Sequence, residues 1–262
     1  MPRFAANLSL LFTEWPFIAR FEAAAAAGFR GVECQFPYEA PAADIATRLA
    51  AAGLELVLFN APPGDFAGGE RGIAALPGRE REFMAGLHRA LAYATTLACP
   101  RIHVMSGLRH HGADRAVLVR NLRAAAPLAA SAGVTLLVEP INPRDLPGYL
   151  LNRTEDALDI VDEVGAGNVA LQFDLYHRQV VQGDLIHAVR RWGARAAHVQ
   201  IAQPPDRGEP DRGEIRYEEV LAALRDTGYS GWVGCEYRPR QGTLAGLTWL
   251  KAFTAPDDME SR

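Results

Sequence analysis

Gly133-Val-Thr-Leu-Leu-Val-Glu139 decides the fold. A glycine closes the helical pattern before it, an almost unbroken apolar run follows, and the run stops on a carboxylate. A short run of this kind is what a strand buried on both faces requires. Upstream lies an amphipathic stretch over residues 114–132, which Pro127 is expected to kink, and before it a second apolar run at 101–105. Downstream, Thr154 is placed to cap a helix over 155–164 that stops at Gly165, and the next run is 169–174. The same phrase repeats along the chain. Strands are predicted at 4–10, 31–36, 54–60, 101–105, 134–139, 169–174, 197–201 and 232–236. Helices are predicted at 16–27, 42–52, 80–98, 114–132, 155–164, 184–192, 217–227 and 243–253. Strand and helix alternating in this way through 262 residues predict an α/β protein, a single-domain (β/α)8 TIM barrel over 1–253 with a polar tail at 254–262. The rival, a doubly wound open sheet, usually carries a glycine fingerprint in its first βα turn. Here that turn reads Leu8-Ser-Leu-Leu-Phe-Thr-Glu-Trp-Pro16, without a glycine.

Composition narrows the function. Apolar residues make up 49%, charged residues 22%, and the formal net charge is −4. An acidic chain lacks the basic face that nucleic-acid binding needs. No apolar run reaches the roughly 18 residues of a membrane helix, and the start at Met1-Pro-Arg-Phe4 does not read as a signal peptide. Cys34, Cys99 and Cys235 are odd in number and far apart, which fits structural thiols in a reducing cytoplasm.

Every strand delivers a polar group near its C-terminal end: Asn7, Glu33 with Gln35, Asn60, His103, Glu139, Asp174, His198 with Gln200, and Glu236. In a barrel those ends converge on one cup. A loop boundary explains one or two of them. It explains poorly three carboxylates set directly after apolar runs, in Leu136-Leu-Val-Glu139, Ala170-Leu-Gln-Phe-Asp174 and Val233-Gly-Cys-Glu236. Carboxylates crowded together repel, and a bound cation is the natural compensator. Oxygen donors suit Mg2+ or Mn2+, whereas zinc more often takes Cys or several His. His198 and Gln200 are two apart and share a face, so either is a candidate ligand from strand 7. Cys235 alternates away from the cup. The long loops 61–79 and 202–216 fall on the same face as the cup. The first holds Gly64, Gly68, Gly69 and Gly72 and reads as a lid.

The chain resembles the hydroxypyruvate isomerase family, within the xylose-isomerase-like barrel superfamily. The stretches that carry the likeness are Asn7-Leu-Ser-Leu-Leu-Phe12, Gly28-Phe-Arg-Gly-Val-Glu33, Phe59-Asn-Ala-Pro-Pro-Gly-Asp65 with Gly69-Glu-Arg-Gly72, and Glu139-Pro-Ile-Asn142. Phe173-Asp-Leu-Tyr-His177, His198-Val-Gln-Ile-Ala202, Gly213-Glu-Ile215 and Glu236 follow. They run in order from about Arg3 to Phe253. Cys34-Gln35 departs from the pattern, where more apolar residues are expected.

The resemblance implies that Glu139, Asp174, Gln200 and Glu236 hold the metal and that Glu139 and Glu236 form the acid–base pair. It implies substrate contacts for His177 and Arg207, although Arg207 has Glu209 and Asp211 nearby as alternative partners. Asn7, Asn60, His103 and His198 are further candidates for substrate contact. The implied reaction interconverts hydroxypyruvate and 2-hydroxy-3-oxopropanoate (tartronate semialdehyde). The alternatives are 2-oxo-tetronate isomerisation, or a sugar 3-epimerase or inosose dehydratase on the same scaffold. The expected partner is a small oxo acid, without nucleic acid or membrane, in a possible homo-oligomer. A DNA-repair barrel would want a His-rich zinc cup and a basic face.

Overall fold

The computed structural model describes residues 2–254. Eight strands pair in parallel in sequence order and close into a barrel. They are β1 (Arg3–Asn7), β2 (Gly31–Cys34), β3 (Glu55–Asn60), β4 (Arg101–His103), β5 (Thr135–Val138), β6 (Val169–Asp174), β7 (Ala196–Ile201) and β8 (Trp232–Cys235), the last paired with β1. Ten helices lie between and after the strands among the described residues: α1 (Arg20–Ala26), α2 (Ala42–Ala52), α3 (Glu80–Leu97), α4 (Arg115–Ser131), α5 (Thr154–Val164), α6 (Leu175–Gln182), α7 (Leu185–Trp192), α8 (Tyr217–Asp226), α9 (Thr243–Gly246) and α10 (Leu250–Thr254). The tail read from the sequence falls, from residue 255 onward, outside the described residues.

Local chemistry sets the boundaries. In α2, Ile45 and Leu49 are one helical turn apart and both are buried, and Gly53 ends the helix in the left-handed region at φ 63°. Asp114 caps α4 by accepting the Val117 amide at 2.9 Å. Pro127 lies inside α4 and does not end it. The first strand stops at Asn7, earlier than its apolar run, because the Asn7 side chain accepts the Ser9 amide and its carbonyl accepts those of Leu10 and Leu11. The first helix starts later than read, after a 3-10 turn at Phe17–Ala19, and the last helical stretch splits into α9 and α10.

α6 was not legible in the sequence. It begins on the residue after β6, with Asp174 as its cap: one carboxylate oxygen accepts the amides of Tyr176 at 2.7 Å and His177 at 3.1 Å. The strand passes into the helix without a loop.

Two apolar clusters hold the fold. The larger packs the helices on the outside of the barrel, and Cys235 belongs to it, facing away from the lumen. The smaller plugs the lumen with Ala5, Val57, Leu58, Leu137 and Trp232. Loop 61–79 divides into an exposed tip at residues 65–68 and an anchored arm whose Ile73, Ala74, Ala75 and Leu76 are buried. No helix among the described residues is long and apolar enough to cross a membrane.

Candidate active site

Above the lumen plug the inward positions turn polar. Inward side chains recur every second residue, about 6–7 Å apart along a strand, so each strand contributes to successive layers. Glu33 on β2 is the hub of the lower polar layer. Its two oxygens accept from Asn7 Nδ2 at 2.9 Å, Gln200 Nε2 at 2.8 Å and His198 Nε2 at 2.6 Å. Gly234 on β8 leaves the space this carboxylate fills: a Cβ there would lie 2.3 Å from Glu33 Oε2. Gln172, two residues before Asp174, donates to Gln200 Oε1 at 2.6 Å. Both ends of the Gln200 amide are therefore fixed, with its nitrogen toward Glu33.

The upper layer bounds a cavity of about 170 Å³ lined by Glu139, His177, Gln200, Arg207 and Glu236 among others. Glu139 lies in a pocket of buried groups, with Oε2 3.5 Å from His103 Nδ1 and Oε1 3.9 Å from His177 Nε2. Asp174 Oδ2 lies 3.6 Å from the same His177 nitrogen. Neither Glu139 Oε1 nor Asp174 Oδ2 has a hydrogen-bond partner, and both are buried. Burial, reinforced by Glu236 and Asp174, pushes the Glu139 carboxyl well above the usual range. Burial also raises Asp174, against the pull of Arg207. Glu236 is pushed up to about 7 by burial, although Arg207 beside it favours the ionised form.

His177 is held in one orientation. The amide oxygen of Asn142 accepts the Asp145 N–H at 2.8 Å, so its nitrogen is the end that meets His177 Nδ1, at 2.6 Å. Nδ1 is then the acceptor, and the imidazole proton sits on Nε2, facing Glu139 and Asp174. Burial, then Arg207, hold this histidine well below its ordinary pKa, so it is neutral. Burial and His177 likewise lower His103 to about 3.

Arg207 reaches into the cup from the loop after β7, at φ 57°. Its guanidinium lies 3.0 Å from Glu236 Oε2, 3.2 Å from Asp145 Oδ2 and 3.7 Å from Asp174 Oδ2. Burial works against its charge, but Glu236, Asp174 and Asp145 outweigh it. Asp145 also accepts the Tyr176 hydroxyl at 3.0 Å, and the Arg207 guanidinium lies 5.2 Å from the centre of that ring. The alternative partners of Arg207 pair elsewhere: Glu209 and Asp211 bind Arg240, which also holds Asp206.

The fold thus gathers Asn7, Asn60, His103, Glu139, His177, Gln200, Arg207 and Glu236 around one cavity, with Asp174 against its wall. His198 departs from its reading as a substrate contact. It sits a layer below Gln200, fully buried on Glu33, because two residues of strand separate them. Asn7 is committed to Glu33 and to the Ser9 turn. Gln35, the departure noted in the sequence, donates to Glu236 Oε1 at 3.3 Å. Sequence reasoning missed Asn142, Asp145, Gln172 and Arg71, and did not see Glu33 as a hub. Strand alternation from Asp174 pointed to Gln172; Asn142, Asp145 and the Glu33 hub depend on neighbours remote in the chain, whereas Arg71 is held by Phe66 and Glu70 of its own loop.

Glu139, Asp174 and His177 offer ligand atoms within 4.8 Å of one another, a buried cluster able to hold a metal ion. With its orphaned carboxylate oxygens, this gives the (β/α)8 barrel an acidic cup at the C-terminal ends of its strands that could hold a cation. The family described as xylose isomerase-like TIM barrel matches residues 21–253, and the chain belongs to it. It is 54% identical to the 2-oxo-tetronate isomerase of Cupriavidus necator, over 97% of this chain and 99% of that one. It is 45% identical to the hydroxypyruvate isomerase of Escherichia coli, over 97% of this chain and all (100%) of that one. A crystal structure described as an AP endonuclease, family 2, from Brucella melitensis superposes with a TM-score of 0.94 at 49% identity, covering 97% and 99% of the two chains.

Proposed function

We propose that the chain is a metal-dependent isomerase of short 2-oxo-3-hydroxy acids, acting on hydroxypyruvate to give 2-hydroxy-3-oxopropanoate. The reaction takes a proton from C3 and places one on C2, while the hydroxyl proton passes from O3 to O2. Nothing is lost or gained, so one pair of proton carriers suffices. Glu139 and Glu236 are that pair, reaching the cavity from the ends of β5 and β8. The observation that carries this reading is the pair itself: two buried carboxyls with raised proton affinity on one small cavity, one of them with an unpartnered oxygen.

Glu139, Asp174 and Glu236 would hold the ion, together with the carbonyl oxygen of Gln200, which keeps a second lone pair beyond its bond to Gln172. The all-oxygen set suits Mg2+ or Mn2+. Such an ion supplies Lewis-acid polarisation and stabilises negative charge developing on the substrate oxygens. His177 stands beside Glu139 and Asp174; in the tautomer that Asn142 fixes, its Nε2 carries a proton and would donate to a substrate oxygen, and it would join the ion's ligands only on losing that proton. The apolar side chains of Phe36, Phe66 and Met105 on the cavity wall would limit water's access to the enediol. Buried, unpaired Cys34, Cys99 and Cys235 support a cytoplasmic setting.

A four-carbon 2-oxo acid shares the reacting unit, and the relative at 54% identity bears the name of such an isomerase. The deciding experiment supplies hydroxypyruvate, 2-oxo-tetronate and free ketoses to the Mn2+ and Mg2+ forms and follows deuterium uptake from D2O at C2 and C3. Faster turnover of ketoses than of either acid would overturn the proposal. A DNA-directed activity has no support here, because the cup is acidic and the net charge is −4.

A further inference from the structure

We propose that Arg71, on the loop after β3, grips the carboxylate of the substrate and sets the preference for acids over neutral sugars. This rests on the oxo-acid reading above. An anion is recognised by a cation whose charge is not already balanced. Arg207 was the candidate from sequence, but it is shared among Asp145, Asp174 and Glu236. Arg71 lines the same cavity, and among the described residues no carboxylate pairs with it.

Its guanidinium is also presented in a usable form. NH1 donates to the carbonyls of Phe66 at 2.9 Å and Glu70 at 2.7 Å. Those two bonds occupy both NH1 protons, which leaves the Nε–NH2 edge, the side-on fork that matches a carboxylate. The guanidinium carbon lies 4.0 Å from the centre of the Phe66 ring, and that ring is 5.2 Å from Phe36. Both aromatic rings line the cavity.

The loop beneath is anchored rather than loose. Glu70 accepts the Asp65 amide at 2.6 Å and pairs with Arg79 at 2.7 Å. On the other side, Gly72 lies so close to the neighbouring loop that a Cβ would come 2.2 Å from the Met105 carbonyl oxygen. Arg71 is therefore held in place before any ligand arrives, which lowers the entropy lost on binding. Apart from Arg207, which is taken up by Asp145, Asp174 and Glu236, the charged wall is acidic, with Glu33, Glu139, Asp145 and Glu236 facing the cavity, so an anionic substrate needs such a cation.

The test uses two unreactive or poorly reactive probes of similar size, anionic D-glycerate and neutral dihydroxyacetone, bound to the Mn2+-loaded protein and followed by paramagnetic NMR relaxation. Arg71→Gln should weaken glycerate by roughly 10–150-fold, the worth of a hydrogen bond to a charged group. Dihydroxyacetone binding, Mn2+ affinity and unfolding temperature should not move. With hydroxypyruvate the loss should fall on KM more than on kcat, and Arg71→Lys should recover part of it. Equal weakening of both probes would make Arg71 a support for the loop and overturn the proposal. So would a charge-selective loss in Arg207→Gln but not in Arg71→Gln, or a native protein that binds the two probes equally. If the native protein turns over no 2-oxo-3-hydroxy acid yet binds glycerate through Arg71, the proposed reaction falls and the anion site stands.

Discussion

Glu33 offers the sharpest test of how the cup is built. Three donors, from Asn7, His198 and Gln200, converge on its two oxygens at 2.6–2.9 Å, and all four residues are buried. Glu33→Leu keeps much of the volume but removes every acceptor. Each buried donor left without a partner costs about 1–3 kcal/mol. Amide rotation relieves part of this and so does the removal of a buried carboxylate. The net loss should be about 3–5 kcal/mol, as for breaking a buried polar pair from one side. Glu33→Gln differs in kind. Its amide oxygen still accepts from Asn7 and Gln200, and its nitrogen faces His198. The imidazole answers by moving its proton to Nδ1, which has no partner to lose. That variant should cost only about 1–2 kcal/mol. At roughly 2–4 °C per kcal/mol for a chain of this size, Glu33→Leu should unfold on the order of 10 °C lower and Glu33→Gln only a few degrees lower. Calorimetry reads both, and nitrogen NMR reads the tautomer of His198 directly. Equal unfolding temperatures for the two variants, or a Glu33→Leu protein as stable as the native one, would refute the hub.

Glu139→Gln and Glu236→Gln should each keep the fold and lose about 10²–10⁴ in kcat, measured by steady-state kinetics. The folded-state pKa of Glu236 is raised from 4.5 to about 7, so its contribution to the stability of chelator-treated protein is full below 4.5 and lost as pH rises to about 7. Melting curves of metal-free Glu236→Gln should therefore gain on the native chain across that window and run parallel above it; a constant difference would count against the assignment. Asn142→Asp should draw the His177 proton to Nδ1, visible by nitrogen NMR, and reduce kcat/KM at least about tenfold by removing the Nε2 donor. An unchanged tautomer would show that Asn142 does not set it. Gly72→Ala forces a Cβ against the Met105 carbonyl at a φ of 104° and should destabilise by about 1–3 kcal/mol in urea unfolding, with loss of acid turnover. Native-like activity and stability would show that the two loops part freely.

The barrel was legible because its strands are buried on both faces, which leaves unmistakable apolar runs such as Leu136-Leu-Val138. Their polar ends then pointed to Glu139, Asp174 and Glu236 in turn. What sequence did not carry was lateral. His198 and Glu33 meet across 165 positions, and neither local pattern announces the other. The Asn142 bond to His177 and the ion pairs that engage Arg207 are of the same kind. α6 was missed for a different reason: Asp174 serves at once as the end of a strand and the cap of a helix, so the usual polar interval between the two is absent.

Glu139, Asp174 and Glu236 stand at the ends of strands bonded into a closed ring, while both arginines of the cavity stand on loops. In the proposed reading the proton carriers therefore sit on the barrel frame and the anion grip of Arg71 on a loop, while Arg207 ties the second loop to Glu236 at 3.0 Å. Substitution at Arg71 leaves the strand ends that carry Glu139 and Glu236 in place, whereas rewriting residues 202–216 would remove the Arg207 contact on Glu236. On that reading, a lineage on this frame could pass from acids to uncharged sugars through the Arg71 loop while keeping the same strand-end carboxyls.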